Sequence, residues 1–423
     1  MRLISNYIND SFNLNNTGIS NAVDTKDLPR HRWYYYKEGF SPTLVKTAIE
    51  TYNLHENNII IDPFNGSGTV TLSAASNNIK SYGFEINPFT SFLAKTKTLN
   101  EEPEHFQSEV DEVVDYCRKG TKSRLEGYST FTESKANTTK WLFSLDVIRT
   151  FEGGFNYISN KKSKSSKLLK LALISSAMDN CNAYKDGKCL RYKKNWEKVG
   201  YSKDTFLEAF ISKCKTIKED LNEEVPISPC ISTYDSRRRK SNKTISKFDL
   251  CITSPPYLNT FDYTDIYRPE LFLGGFVNSS KELYNLRFKT VRSHVQVKWK
   301  QPNVDKIESI QLKNIYKKII KKKHLLMNNY IPSMILAYFE DMGKVFSNLS
   351  NYANNKANLW MIVSTSAYAN EHIPVDLILA DISTINGWKL HEIGVLREIR
   401  KRKTKYSPNI IKLRESVIIL EKK

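Results

Sequence analysis

The chain has 423 residues, 40% of them hydrophobic, with 64 Lys and Arg against 45 Asp and Glu for a net charge of +19. This is enough apolar material for a large core and excludes global disorder, and no apolar run approaches the ~20 residues that span a bilayer. The charge favours a polyanionic partner over a membrane surface, although an Asn- and Ile-rich composition also drifts basic.

Residues 1–30 are polar and Asn-rich and read as a loose arm or a short lead-in. They lack a cationic start followed by an apolar core, so a cytoplasmic protein is expected. Ser41 and Pro42 open an amphipathic helix with Leu44, Val45, Ala48 and Ile49 on one face. "NNIIIDPFNGSGTVTLSAASNN" then reads as strand, Gly-rich turn and helix, and "IKSYGFEINPF" as a second strand ending in an acid. This pattern starts a doubly wound α/β sheet.

Residues 101–228 interrupt it with a mostly helical, Lys- and Glu-rich insertion, in which 183–196 reads as a loop of aromatics among cations. The α/β pattern resumes at "CISTYDSR" and "FDLCITSPPY", and a second, basic insertion covers 281–330. An amphipathic helix (331–349), three strand candidates ("NLWMIVSTS", "KLHEIGVL", "SVIIL") and an intervening helix ("VDLILADISTIN") close the chain. Six scattered cysteines form no C-x-x-C pair, so reduced structural thiols and no metal site are expected.

Two stretches carry chemistry. "DPFNGSGT" (Asp62 to Thr69) sits between strand and helix, where glycines let a ligand approach the backbone and the helix N-terminus offers unpaired amides. It lacks the Walker lysine and the full dinucleotide fingerprint. Glu85, ending the next strand about 20 residues on, can bind the hydroxyls of a ribose. Asp235 ends a third strand at the same edge, where it can meet an adenine amine, so the ligand is a nucleoside without a large phosphate cluster. In "TSPPY" (253–257) the prolines fix φ and stop a strand abruptly, which makes either a plain turn or a rigid jaw for a flat polar group.

"DPFNGSGT" followed by "GFEINP" and then "TSPPY" resembles the S-adenosylmethionine (SAM)-dependent DNA amino-methyltransferases, the N4-cytosine and N6-adenine enzymes of restriction-modification and related systems. "FSPTLV" (40–45) and "RESVIIL" (414–420) are similar to flanking motifs of that family. The resemblance covers roughly 30–100 and 229–420, with cofactor motif before catalytic motif, and implies a Rossmann-like class I methyltransferase fold. That is a seven-stranded mixed sheet with helices on both faces and an antiparallel last strand. The catalytic domain would comprise 31–100 and 229–423.

The resemblance also implies roles. Asp62, Pro63, Phe64, Gly66, Ser67 and Gly68 would hold the methionine end of SAM, and Glu85 the ribose. Asn87 and Pro88 would shape the adenine pocket, Asp235 would meet the adenine amine, and Phe40 would pack nearby. Ser254 and the Pro255 carbonyl would accept the two N–H groups of an exocyclic base amine, with Pro256 stiffening the jaw. Tyr257 would stack on the flipped base. Ser at the first jaw position is commoner in N4-cytosine enzymes, which favours cytosine N4 over adenine N6.

The polar residues after the jaw, Asp262, Tyr263, Asp265, Tyr267 and Arg268, read equally as helix caps and as base contacts. Residues 281–330 hold 13 Lys or Arg against 3 Asp or Glu with aromatics interleaved. Arg268, Arg287, Lys289, Arg292, Lys321, Lys322 and Lys323 are the expected contacts to double-stranded DNA, and either insertion could read bases. A cognate restriction endonuclease is the further partner implied. Two rival readings stay open: an RNA base amino-methyltransferase, which an Asn- or Asp-Pro-Pro jaw or an appended RNA-binding module would favour, and a non-enzymatic DNA-binding protein with a degenerate fold, which would not bind SAM.

Overall fold

The computed structural model describes residues 4–12, 19–133, 139–187, 189–239, 245–399, 409–410 and 412–423. Twelve strands occur among them: β1 (Ile8–Asn9), β2 (Ile59–Asp62), β3 (Lys80–Phe84), β4 (Ala183–Lys185), β5 (Leu190–Tyr192), β6 (Cys230–Ser232), β7 (Phe248–Thr253), β8 (Ala353–Ser364), β9 (Ser366–Tyr368), β10 (Glu371–Ile373), β11 (Trp388–Ile399) and β12 (Leu413–Lys422). Eight form one sheet in the order β1-β11-β12-β8-β7-β2-β3-β6. Every described pairing in it is parallel except those of β12, which runs antiparallel to both β11 and β8. The seven larger strands are the mixed sheet with a reversed last strand that the resemblance implies.

Strand residues alternate between two apolar layers, as a sheet covered on both faces requires. Ile60, Leu250, Ile252, Trp360, Ile362 and Val417 pack with the helix Pro42–Thr51. Ile61, Cys251, Leu359, Met361, Val363 and Ile418 pack under the helices Ile331–Tyr352 and Val375–Ile385. Ser41 caps the first of these helices by accepting from the Thr43 amide at 3.0 Å, and Pro42 stands in its first turn.

The helical insertion contains Pro103–Lys119, Leu145–Ser159, Lys164–Asp179 and Lys203–Asp220. Their apolar core continues into Phe89 and Leu93 of the sheet helix Pro88–Lys97. The stretch 183–196 is not the expected loop: β4 and β5 pair as an antiparallel hairpin around Asp186-Gly187, a dipeptide suited to such turns. The N-terminal arm is not loose where it is described. Ile8 and Asn9 add a parallel edge to β11, and the buried Arg30 guanidinium donates to the carbonyls of Lys97, Leu99 and Glu223 at 3.1, 2.7 and 2.7 Å. Residues 13–18 of the arm lie outside the described residues. Among the described residues no helix is long and apolar enough to cross a membrane, and no His, Cys, Asp and Glu cluster could hold a metal.

Candidate active site

Because β2, β3, β6 and β7 are parallel, Asp62, Glu85, Asp235 and Ser254 all follow the same edge of the sheet. Ligands bind open α/β sheets at that edge. A cavity of about 330 Å³ lies there, lined by Phe40, Asp62, Pro63, Phe64, Gly66, Ser67, Glu85, Asn87, Asp235 and the whole jaw from Ser254 to Tyr257. The Gly-rich turn and the jaw therefore share one wall.

The Asp62 carboxylate ties the two strand ends together. It accepts from the Phe64 amide at 2.9 Å and from the Thr253 hydroxyl, at the end of β7, at 2.6 Å. Burial pushes its carboxyl up to about 7 against the pull of those donors. Glu85 closes the turn, accepting from the amides of Gly66 (2.7 Å) and Asn87 (2.8 Å), and burial raises its carboxyl as well.

Gly66 and Gly68 both have positive φ, +46° and +86°. A Cβ at Gly68 would stand 2.8 Å from the Ala94 Cβ, so this glycine lets the helices Thr69–Ser76 and Pro88–Lys97 approach. Asn87 caps the latter helix and Pro88 opens it. Gly68 and Pro88 thus stand behind the cavity wall.

Asp235 is held by its neighbour. Both of its oxygens accept from Arg237 (2.9 and 2.8 Å), which also pairs with Asp341 at 2.9 Å. Burial acts to raise the Asp235 carboxyl, but the guanidinium outweighs it and holds the group below the ordinary range.

In the jaw, the Ser254 hydroxyl lies 3.5 Å from the Tyr257 hydroxyl, which donates to Glu415 Oε1 at 2.6 Å. Glu415 is 2% exposed and its other oxygen accepts from Arg397 at 2.6 Å. Burial, with the Glu415 carboxylate, holds the Tyr257 phenol well above its usual range. Both partners line the cavity but come from β12 and β11; Glu415 lies inside the quoted "RESVIIL", where nothing singled it out, and Arg397 lies in no motif.

Residues 4–96 match the family model of the N6/N4 DNA methylases. Over 408 residues the chain is 28% identical to the type II methyltransferase M.AvaI of Nostoc sp. (strain PCC 7120), covering 88% of this chain and 81% of that one. Over 450 residues it is 27% identical to the type II methyltransferase M.BsoBI of Geobacillus stearothermophilus, covering 94% and 86%. The chain is thus similar to the N6/N4 DNA methylases at its N-terminal end and to two type II methyltransferases over most of its length. It is a SAM-dependent DNA methyltransferase. A SAM-dependent methyltransferase from Methanosarcina mazei aligns over 88% of this methylase and 96% of its own chain at 9% identity and a TM-score of 0.32.

The cavity of the methylase fits SAM. Its carboxylates suit a cationic ligand with a ribose, and two buried atoms on its walls, Asn65 Nδ2 and Glu38 Oε1, have no partner among the described residues. Neither residue was singled out in the sequence. Glu38 belongs to a second polar group at the cavity. Tyr267 donates to it, Tyr36 stacks on Tyr267 at 5.1 Å, and Lys185 of the hairpin pairs with Glu270 and reaches the Tyr34 hydroxyl at 2.6 Å. Gly187 at the hairpin turn lines the cavity, so the helical insertion of the methylase borders it.

The residues expected at DNA divide. Arg268 donates to the Ser129 and Thr130 hydroxyls at 3.4 and 3.1 Å. Arg287 pairs with Asp262 (2.5 Å) and Asp265 (3.4 Å), and Arg292 with Asp341 (2.6 Å) and Glu340. Asp262 also caps the short helix Tyr263–Ile266, accepting from the Thr264 amide at 3.0 Å. Lys289 lines the cavity, Lys322 pairs with Glu371, and Lys321 and Lys323 are exposed.

Proposed function

We propose that the methylase transfers a methyl group from SAM to the exocyclic N4 of a flipped cytosine in double-stranded DNA. It would be the modifying half of a type II restriction-modification system with a cognate endonuclease. The observation that carries this reading is the shared cavity of the Gly-rich turn and the Ser-Pro-Pro-Tyr jaw. The two type II relatives, aligned over most of their length, support the system-level part.

SAM supplies a methyl on a sulfonium, with a neutral sulfide as leaving group. Asp62, Pro63, Phe64, Gly66 and Ser67 would hold its methionine end and Glu85 its ribose, with Gly68 shaping the turn from behind the wall. Asn87 and Asp235 would enclose its adenine, with Phe40 packing nearby and Pro88 setting the start of the helix behind them. The cytosine amine is a poor nucleophile because its lone pair is delocalised into the ring. Ser254 Oγ and the Pro255 carbonyl accept its two N–H groups, draw the nitrogen toward tetrahedral and release that pair. Pro255 and Pro256 hold both acceptors in position before the reaction, where preorganisation lowers the barrier. The N–C bond forms as the C–S bond breaks, and the proton lost from nitrogen goes to solvent. Tyr257 stacks on the extruded base.

Nucleoside mass spectrometry of DNA from cells expressing the protein tests the reading. N4-methylcytosine is expected, and N6-methyladenine alone would move the assignment to adenine. Ser254→Ala should lower the transfer rate about a hundredfold while SAM affinity stays within about twofold.

A further inference from the structure

Glu415 and Arg397 have no place in the reaction as set out above, yet both line the cavity beside the jaw. For Ser254 to accept an amine N–H, its own proton must point elsewhere, or the hydroxyl offers a donor to a donor. The geometry provides a direction. Ser254 donates to the Tyr257 oxygen at 3.5 Å, Tyr257 donates to Glu415 Oε1 at 2.6 Å, and Arg397 donates to Glu415 Oε2 at 2.6 Å. An arginine can only donate and an ionised carboxylate can only accept, so the polarity of the whole chain is set at its far end.

We infer that Glu415 is a positioning residue for methyl transfer: paired with Arg397, it orients the Tyr257 and Ser254 hydroxyls so that the lone pairs of Ser254 face the substrate amine. The inference rests on the jaw reading above and adds two residues from distant strands to it. Tyr257 then has two functions, a ring for the base and a hydroxyl that passes the polarity on.

Glu415→Gln reverses the chain with almost no change of shape. Arg397 claims the amide oxygen, and the amide nitrogen turns to Tyr257. The tyrosine proton then swings toward Ser254 Oγ and occupies the lone pair the amine needs. Tyr257→Phe removes the relay while keeping the ring.

The test measures single-turnover methylation of a DNA substrate, SAM affinity and melting temperature for both variants and their combination. Each single variant should be slower by about tenfold or more, with SAM affinity within about twofold. The double variant should be no slower than the slower single one, because Glu415 acts only through the tyrosine hydroxyl. A Tyr257→Phe enzyme at the wild-type rate overturns the inference even if Glu415→Gln fails to fold. Effects that multiply in the double variant overturn it as well. Those results leave the jaw reading standing, whereas a wild-type protein that binds SAM and DNA but transfers no methyl group sinks both.

Discussion

Asp62 carries the clearest pH signature of any single residue in the cavity. Its carboxyl is pushed up to about 7 by burial, against about 3.9 in an unfolded chain. The folded state therefore binds the extra proton between those values. The stabilisation is full below about pH 4 and is lost as pH rises through about 7. Glu85 shifts in the same direction, so part of the slope persists without Asp62. Asp62→Asn should lose at least about 1 kcal/mol less stability than wild type between about pH 5.5 and about pH 7.5, read from urea midpoints. If Asp62 meets the cationic amine of SAM, binding near pH 7 releases a proton. The titration heat then depends on the buffer's ionisation enthalpy, and the variant loses that dependence. At this scale the sequence was readable where placement is local. Asp62, Gly66, Glu85 and Ser254 each stand within a few residues of a strand end, and a strand end fixes a direction in space. Glu38 and Arg397 lie in no motif, and Asn65 and Glu415 lie in quoted motifs that did not single them out, because all four meet the cavity by tertiary approach. Glu415 reaches Tyr257 across 158 positions of sequence.

Among the elements, the β4–β5 hairpin was missed because three-residue strands carry too little alternation to outweigh their loop-like composition. Its Asp-Gly turn was the usable sign. It is tied to the helix Arg268–Leu273 by Lys185, whose ammonium pairs with Glu270, a side chain with no solvent exposure. Removing one member of such a pair leaves a buried charge unmatched, which costs more than the pair itself contributes. Lys185→Met should therefore destabilise the protein by about 3 kcal/mol, and adding Glu270→Gln should restore most of it. Hydrogen exchange provides the local check: the 183–192 amides should lose protection in the single variant and regain it in the double one. Unchanged exchange in Lys185→Met would mean that apolar packing holds the hairpin. The long closing strands were legible in kind and short in extent. β8, β11 and β12 each run beyond their apolar centres into polar ends that the sheet still pairs.

For the molecule as a whole, the net charge of +19 announced a polyanion, but composition does not say which cations remain available to it. Folding engages Arg287 and Arg292 with Asp262, Asp265, Glu340 and Asp341, and ties Lys322 to Glu371. Lys321 and Lys323 stay exposed at the end of the helix Ile310–Lys321 and just beyond it. The same basic insertion lines the cavity through Lys289, Thr290, Val291, Ser293 and His294, so it stands beside the site where a base would enter. A duplex neutralised there would be positioned without being read. Replacing Lys321 and Lys323 by Ala should weaken binding to cognate and non-cognate DNA by the same factor. It should also flatten the plot of log K against log salt by roughly 0.9 for each phosphate that is no longer neutralised. Adding Lys322→Ala should change the slope less than either of the other two, since its charge is already matched by Glu371. A slope that does not move when Lys321 and Lys323 are replaced would mean that these lysines face away from the duplex. Lys289 at the cavity and the hairpin of the four-helix insertion, which reaches it through Gly187, would then be the next places to look for phosphate contacts.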